Sequence, residues 1–166
     1  PSLYSAEPLR STHLIFPFGC NASQFKAVKT ALESKLSVIE GPPGTGKTQT
    51  ILNIISNILI AGKTVQVVSN NNSAIQNIYE KFSEYGLEFI IASLGKSSNK
   101  AKFLTSQTDS YPNFSGWFCA EAESPEFIEK ISSINKQLEN AFALQSDLAE
   151  AKQELNQIIL EPVSYT

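Results

Sequence analysis

Several residue types are scarce in this chain, and each scarcity argues against a class of protein. The 166 residues include two cysteines and one histidine, so we expect neither a disulfide-rich scaffold nor a zinc module. The apolar runs fall short of the ~18 residues that a membrane span needs. No charged-then-apolar leader opens the chain. We therefore expect a protein of the reducing cytoplasm with no membrane partner.

Methionine is absent altogether, and the chain begins at Pro1. We expect either a processed protein or an excerpt of a longer one. The length suits one domain of average size, and 42% hydrophobic residues are enough to form a core.

Net charge is also small, since 13 basic and 16 acidic residues give −3. This value argues against a wholly basic nucleic-acid-binding protein. The average conceals two different regions, because residues 1–122 carry a net charge of +2 and residues 123–166 carry −5. The first region is mildly basic, so its composition does not exclude a nucleic-acid partner.

Apolar segments and amphipathic stretches alternate along the first hundred residues, and this alternation predicts an α/β fold. The predicted helices cover 23–34, 47–61 and 73–84, and the predicted strands cover 36–40, 64–69 and 87–92. Strands and helices at this spacing are typical of a parallel sheet with flanking helices and right-handed crossovers.

A long helical stretch begins at Ser124-Pro125, a pair that suits a helix start. Its mostly apolar seam alternates by four and three residues, through Phe127, Ile131, Ile134, Leu138, Ala141, Gln145, Leu148, Lys152, Leu155 and Ile159. This heptad spacing predicts a coiled-coil-type helix of roughly 54 Å. Its partner would be the return arm of an inserted helical hairpin, or a second copy that pairs weakly through residues 127–159. The alternative is an ordinary amphipathic helix against the domain.

A glycine-rich loop lies between the first predicted strand and the second predicted helix. Its residues match G-x4-G-K-[ST] and are Gly41, Pro42, Pro43, Gly44, Thr45, Gly46, Lys47 and Thr48. The glycines allow backbone N–H groups to approach phosphates, and the helix start adds its positive dipole end. We therefore predict an ATP site in which Lys47 contacts the β- and γ-phosphates and Thr48 ligates Mg²⁺. The alternative is a glycine-rich turn that binds no ligand.

The flanks of this loop resemble superfamily 1 helicases, most closely their up-frameshift-like 5′-to-3′ branch. Asn21-Ala22-Ser23-Gln24 resembles the family's Q motif, and Thr48-Gln49-Thr50-Ile51 looks like the same family. The resemblance implies that Gln24 binds the adenine edge and that Gln49 belongs to the ATP site. The alternative is that Asn21 or Ser23 caps a helix and Gln24 is solvated.

Residues 65–75 resemble motif Ia of the same family. The resemblance implies contacts to the backbone of single-stranded DNA or RNA from Asn70, Asn71, Asn72 and Ser73. Amides and hydroxyls at a helix start suit phosphate without net positive charge. Asn70-Asn71 replaces the family's usual Pro-Ser, which leaves individual contacts open, and the alternative is that Asn72 or Ser73 only caps the helix. The sequence does not distinguish DNA from RNA.

The resemblance implies a P-loop NTPase fold of the RecA-like type, present here as a partial parallel sheet. The expected regions are a lead-in segment 1–20, a partial RecA-like ATP-binding domain 21–122, the heptad helix 123–162 and a tail 163–166. No apolar strand ending in Asp-Glu follows Ala92, and Arg10 is the only arginine. The Walker B carboxylates and the arginine that hydrolysis needs are therefore expected elsewhere in a longer protein.

The resulting hypothesis is the ATP-binding N-terminal portion of an ATP-dependent DNA or RNA helicase that moves on single strands. The chain by itself is expected to bind nucleotide weakly, with little turnover. Two alternatives stay open: an AAA+ or other P-loop ATPase that acts on proteins, and a non-catalytic interaction module that displays a coiled coil.

Overall fold

A computed structural model describes residues 13–95, 97–106, 113–116 and 124–160. The helices in this part of the chain are α1 Ala22–Glu33, α2 Lys47–Ile60, α3 Asn72–Ser83, α4 Ser97–Ser106 and α5 Pro125–Leu160, with 3₁₀ turns at Glu88–Ile90 and Phe114–Gly116. None of these helices is long and apolar enough to cross a membrane. Much of the predicted lead-in segment, residues 1–12, and the predicted tail, residues 163–166, lie outside the described residues.

The four predicted helices are confirmed, and their starts have local causes. Asn21 caps α1 in a capping box: its Oδ1 accepts from the Gln24 N–H, and Gln24 Oε1 accepts from the Asn21 N–H, both at 2.9 Å. Ser124 caps α5, where its hydroxyl accepts from the Phe127 N–H at 3.2 Å. Helix α4 was not predicted, because its mostly polar sequence has no apolar stripe to reveal a helix.

The predicted α/β fold is wrong, because none of the described residues forms a β-strand. Residues 36–40 and 64–69 are unpaired, and 87–92 contains a 3₁₀ turn. Apolar side chains in these segments stay exposed, Val38 by 77% and Val68 by 81%. An apolar run becomes a strand only where neighbouring strands pair with its backbone and cover its side chains. The described residues provide no such neighbours, so the RecA-like partial parallel sheet gives way to an all-helical architecture.

The chain divides into two compact units, Pro1–Ala61 with Glu121–Thr166 and Gly62–Ala120. In the first unit, α1 packs against α2. The buried centre of this unit consists of Leu14, Phe25, Val28 and Leu32, and Phe16, Cys20, Ile54, Ile58, Leu138 and Phe142 pack around it. Burial raises the pKa of the Cys20 thiol, which therefore stays protonated near neutral pH.

The second unit is smaller and is built on α3. Phe82, at 3% exposed, is buried near the end of α3, which contacts the 3₁₀ turn Glu88–Ile90. Phe89 from this turn meets Phe114 edge to face, with ring centroids 5.6 Å apart.

Helix α5 meets the core of the first unit along residues 135–142. Phe142 lies edge to face on Phe25, with centroids 5.8 Å apart, and Glu139 pairs with Lys29 of α1. This hydrogen-bonded pairing raises the pKa of Lys29. The following apolar residues of α5 are mostly exposed: Leu144, Leu148, Leu155, Ile158 and Ile159. The self-association expected through residues 127–159 stays a prediction.

Candidate nucleotide-binding site

The glycine-rich loop, residues 41–48, overlaps the start of α2, whose first residue is Lys47. Gly44 and Gly46 have φ angles of 85° and 79°, a left-handed conformation that other residues adopt only with strain. The Thr45 hydroxyl closes the loop by donating to the Pro42 carbonyl at 2.8 Å. The predicted helix after the loop is therefore present, whereas the predicted strand before it is not.

Lys47 folds its side chain back over the loop. Its ammonium donates to the Pro42 carbonyl at 2.7 Å and also to the Gly41 carbonyl. The first turn of a helix offers N–H groups without intrahelical partners and the positive end of the helix dipole. A lysine charge, left-handed glycines and a helix start thus lie together, and this combination suits phosphate groups.

Gln24 joins α1 to the loop and is only 6% exposed. Its Nε2 donates to the carbonyls of Gly46 at 3.2 Å and Thr45 at 3.4 Å, and to Gln49 Oε1 at 3.0 Å. Its Oε1 is engaged in the capping box with Asn21. A methyl group on Gly46 would overlap the Gln24 side chain. The structure therefore brings Gln24 to the predicted loop and engages both ends of its amide with protein groups.

Gln49 lies in the first turn of α2 and is half-buried. While its Oε1 accepts from Gln24, its Nε2 donates to the Phe18 carbonyl. One side chain thus connects the loop's neighbour Gln24 to the chain segment that precedes α1.

That segment is residues 14–19, which we call the amide-held segment; it contains a turn at Pro17-Phe18, closed by the Gly19 N–H, which donates to the Phe16 carbonyl at 2.9 Å. Asn57 binds Ile15 twice: its Oδ1 accepts from the Ile15 N–H at 3.0 Å and its Nδ2 donates to the Ile15 carbonyl at 2.8 Å. A neighbouring strand makes the same pair of bonds in an antiparallel sheet. From α5, Asn135 donates to the Leu14 carbonyl at 3.0 Å. Side-chain amides therefore take the place of a strand partner.

Asn53 continues this pattern one turn nearer to the loop and is fully buried. Its Oδ1 accepts from the Phe18 N–H at 3.2 Å, and its Nδ2 donates to the Gly19 carbonyl at 2.8 Å. Asn53 and Asn57 were not among the predicted site residues. The available signal was two asparagines four residues apart within the apolar run of α2, where an unpaired amide would be costly.

The residues predicted to contact nucleic acid lie in the second unit, at the exposed start of α3. Asn71 caps the helix: its Oδ1 accepts from the Ser73 N–H at 3.0 Å and from the Ser73 hydroxyl at 2.7 Å. The cap is therefore Asn71, not Asn72 or Ser73. Asn70 and Asn72 are exposed beside it.

The predicted magnesium ligand Thr48 is exposed on the first turn of α2, next to Lys47. Its hydroxyl is a hard oxygen donor of the kind that Mg²⁺ prefers, and magnesium sites commonly complete their octahedron with waters and phosphate oxygens. Within the described ranges, no three His, Cys, Asp or Glu side chains cluster to hold a metal ion. The arrangement fits one protein ligand at the loop.

A protein-family model described as an AAA domain, AAA_11, matches residues 19–161. The chain belongs to this family. The match covers the loop and the described helices α1 to α5, including the α2 amides Gln49, Asn53 and Asn57. The resemblance to up-frameshift-like superfamily 1 helicases is confirmed by the relatives of this AAA domain.

Three relatives illustrate this relationship. The AAA domain chain is 44% identical over 71 residues to the DNA polymerase alpha-associated DNA helicase A of Schizosaccharomyces pombe, covering 42% of this chain and 11% of the relative. It is 38% identical over 91 residues to the Regulator of nonsense transcripts 1 homolog of Drosophila melanogaster, covering 54% and 7%. It is 31% identical over 126 residues to an uncharacterized ATP-dependent helicase of Mycoplasma pneumoniae, covering 72% and 11%.

The chain thus spans about a tenth of the length of the curated relatives it matches. No solved structure matches it. The comparisons show the family of the chain and its relationship to helicases. Nucleotide binding by this chain is argued below from the geometry of the loop.

Proposed function

We propose that this AAA domain binds ATP at the glycine-rich loop, residues 41–48. The observation that carries the proposal is Lys47, whose ammonium lies against the loop carbonyls of Gly41 and Pro42 at the start of α2. Phosphate oxygens are charged acceptors and form stronger hydrogen bonds with an ammonium than neutral carbonyls do. A triphosphate would therefore displace these carbonyls as the partners of Lys47.

The remaining loop groups have complementary roles in this proposal. Left-handed Gly44 and Gly46 let backbone N–H groups approach the phosphates. The Thr48 hydroxyl would hold Mg²⁺, which would neutralise phosphate charge. Gln24 remains the candidate for the adenine edge, and its bond to the Thr45 carbonyl, the longest of its three donor contacts at 3.4 Å, is the one that the base would replace.

The helicase relatives support a wider proposal for the whole protein, namely ATP hydrolysis coupled to movement on single-stranded DNA or RNA. For the chain itself we propose weak nucleotide binding with little turnover. The sequence contains no two adjacent acidic residues, so the Asp-Glu pair that typically holds Mg²⁺ and activates water is absent from it.

Calorimetric titration of the chain with Mg²⁺ and ATP tests the first proposal. Because Lys47→Ala removes a charge-assisted bond of about 1.5–3 kcal/mol, we expect it to weaken binding by roughly 10- to 100-fold. Lys35→Ala, which removes an exposed lysine of the same unit, is the matched control and should bind as the wild type does. Equal affinity of Lys47→Ala and Lys35→Ala would refute the phosphate role of the loop.

We also propose that Asn70–Ser73 contacts the backbone of single-stranded nucleic acid, in accordance with the exposed amides and hydroxyl at the start of α3. Fluorescence anisotropy with a labelled single-stranded oligonucleotide tests this interface. The double variant Asn70→Ala, Asn72→Ala should weaken binding without unfolding α3, since Asn71 retains the cap. Gln76→Ala, an exposed amide further along α3, is the control. Equal binding by both variants would exclude the interface.

A further inference from the structure

We infer that Gln49 is a positioning residue that couples the glycine-rich loop to the amide-held segment 14–19, with Asn53 as its support. The relay extends from the loop carbonyls of Thr45 and Gly46, through Gln24 and Gln49, to Phe18. The inference deepens the proposed nucleotide site, since it names residues outside the loop that set the loop's geometry.

The first observation is that two side-chain amides of α2, those of Gln49 and Asn53, bind the backbone N–H and carbonyl of Phe18. Its N–H donates to Asn53 at 3.2 Å, and its carbonyl accepts from Gln49. These bonds come from side chains one helical turn apart, which lie on the same face of α2. Phe18 is therefore fixed relative to α2 by two independent side chains.

The second observation is that Gln49 uses its two ends in opposite directions. Its Nε2 donates to the Phe18 carbonyl, and its Oε1 accepts from Gln24 Nε2. The same Gln24 Nε2 also donates to the Gly46 carbonyl of the loop. A glutamine side chain can bind two partners in this way because its amide carries both a donor and an acceptor. A movement of Phe18 changes the position of Gln49 and so alters the acceptor available to Gln24.

The third observation is that the Gly46 carbonyl accepts three hydrogen bonds. It accepts from the Thr50 N–H at 2.9 Å, from the Thr50 hydroxyl at 3.2 Å and from Gln24 at 3.2 Å. Since Gly46 immediately precedes Lys47, the peptide that orients the lysine is held partly by Gln24. Loss of Gln49 would free Gln24 and loosen this peptide, which would reduce the preorganisation of the phosphate site.

Two isosteric variants separate this role from ordinary stabilisation. Gln49→Met removes the bonds to Gln24 and Phe18 at a half-buried position, whereas Asn53→Leu removes two bonds at a fully buried position. Gln145→Met, on the exposed outer part of α5, is the matched control. Asn53→Leu should lower the melting temperature more than Gln49→Met does. Gln49→Met should reduce ATP affinity more, by about tenfold for a lost bond or two.

This inverse order of stability and affinity supports the relay. Affinity that simply follows the melting temperature, with Asn53→Leu the weaker binder, would overturn it. If Asn53→Leu does not fold, Gln49→Met is compared with Gln145→Met alone: about tenfold weaker ATP binding by Gln49→Met supports the relay, and equal affinity overturns it.

Hydrogen–deuterium exchange without nucleotide distinguishes failure of this inference from failure of the proposed function. In Gln49→Met, amides of both 14–19 and 41–48 should exchange about fivefold faster than in the wild type, as expected for a lost bond of about 1 kcal/mol. Unchanged exchange in the loop refutes the coupling, whatever the chain binds. Faster exchange in both segments, in a chain that does not bind ATP, supports the coupling and rejects the nucleotide site.

Discussion

Two non-helical segments of the first unit, residues 14–19 and 36–40, are both rich in apolar residues but differ in their surroundings. In the first, Leu14 is 8% exposed and the backbone is hydrogen-bonded by side-chain amides of α2 and α5. In the second, Leu36 is 84% exposed and the backbone has no strand partner among the described residues. Apolar content alone therefore does not bury a non-helical segment; partners for its backbone must also be present.

A matched pair of leucine truncations should show the largest effect of this difference. Leu14→Ala creates a cavity in the buried centre, so we expect a loss of about 2–4 kcal/mol in the free energy of unfolding. Leu36→Ala removes an exposed side chain and should change it by about 0.5 kcal/mol or less. Urea denaturation followed by circular dichroism measures both. Equal losses would mean that segment 36–40 is as well packed as segment 14–19.

A matched pair of glycine substitutions examines the loop that follows segment 36–40. Gly44→Ala and Gly46→Ala both place a side chain at positive φ, at a cost of about 1–2 kcal/mol each. At Gly44 the added methyl meets no atom within 4 Å, whereas at Gly46 it displaces Gln24. Gly46→Ala should therefore lose about 1 kcal/mol more, from the broken amide bonds. Equal denaturation midpoints would indicate that Gln24 does not anchor the loop.

The smallest expected effect concerns the ion pair between Lys29 of α1 and Glu139 of α5. The pair raises the pKa of Lys29, so its contribution is fully present below the ordinary lysine pKa of about 10.4 and is lost as pH rises through the higher folded value. Lys29 is partly exposed, so Lys29→Met should cost about 0.5 kcal/mol at pH 8.

The control for this pair is Lys26→Met, which removes an exposed lysine from the same helix. The stability difference between wild type and Lys29→Met should narrow above about pH 10.4, while Lys26→Met should show no comparable trend. A difference that widens with pH would contradict the sign of the linkage.

The helices could be predicted from sequence because their signals are local. Asn21 and Gln24 form a capping box four residues long, and Pro125 begins α5 at the first helical position. The strands could not be predicted in the same way, since a strand depends on partners distant in sequence. Val38 and Val68 have suitable side chains for a sheet, but they stay mostly exposed among the described residues.

The residues of the candidate site could be predicted from sequence, but the hydrogen bonds between them could not. The motif from Gly41 to Thr48 indicates phosphate chemistry from residue types and spacing alone. The hydrogen bonds that Gln24 makes to the loop and to Gln49 depend on how α1 packs against α2, which no local pattern specifies. The role of Asn53 depends on segment 14–19 lying along α2, since its two bonds reach residues 35 and 34 positions away in sequence.

The central claim is that the glycine-rich loop binds the phosphates of ATP, and amide chemical shifts test it most directly. In a ¹H–¹⁵N NMR titration with Mg²⁺ and ATP, we expect the largest shifts at residues 41–48, centred on the Gly44 and Gly46 amides. Adenosine, which lacks phosphates, should leave these amides nearly unchanged. Shifts of equal size with adenosine, or shifts confined to residues outside 41–48, would contradict the claim.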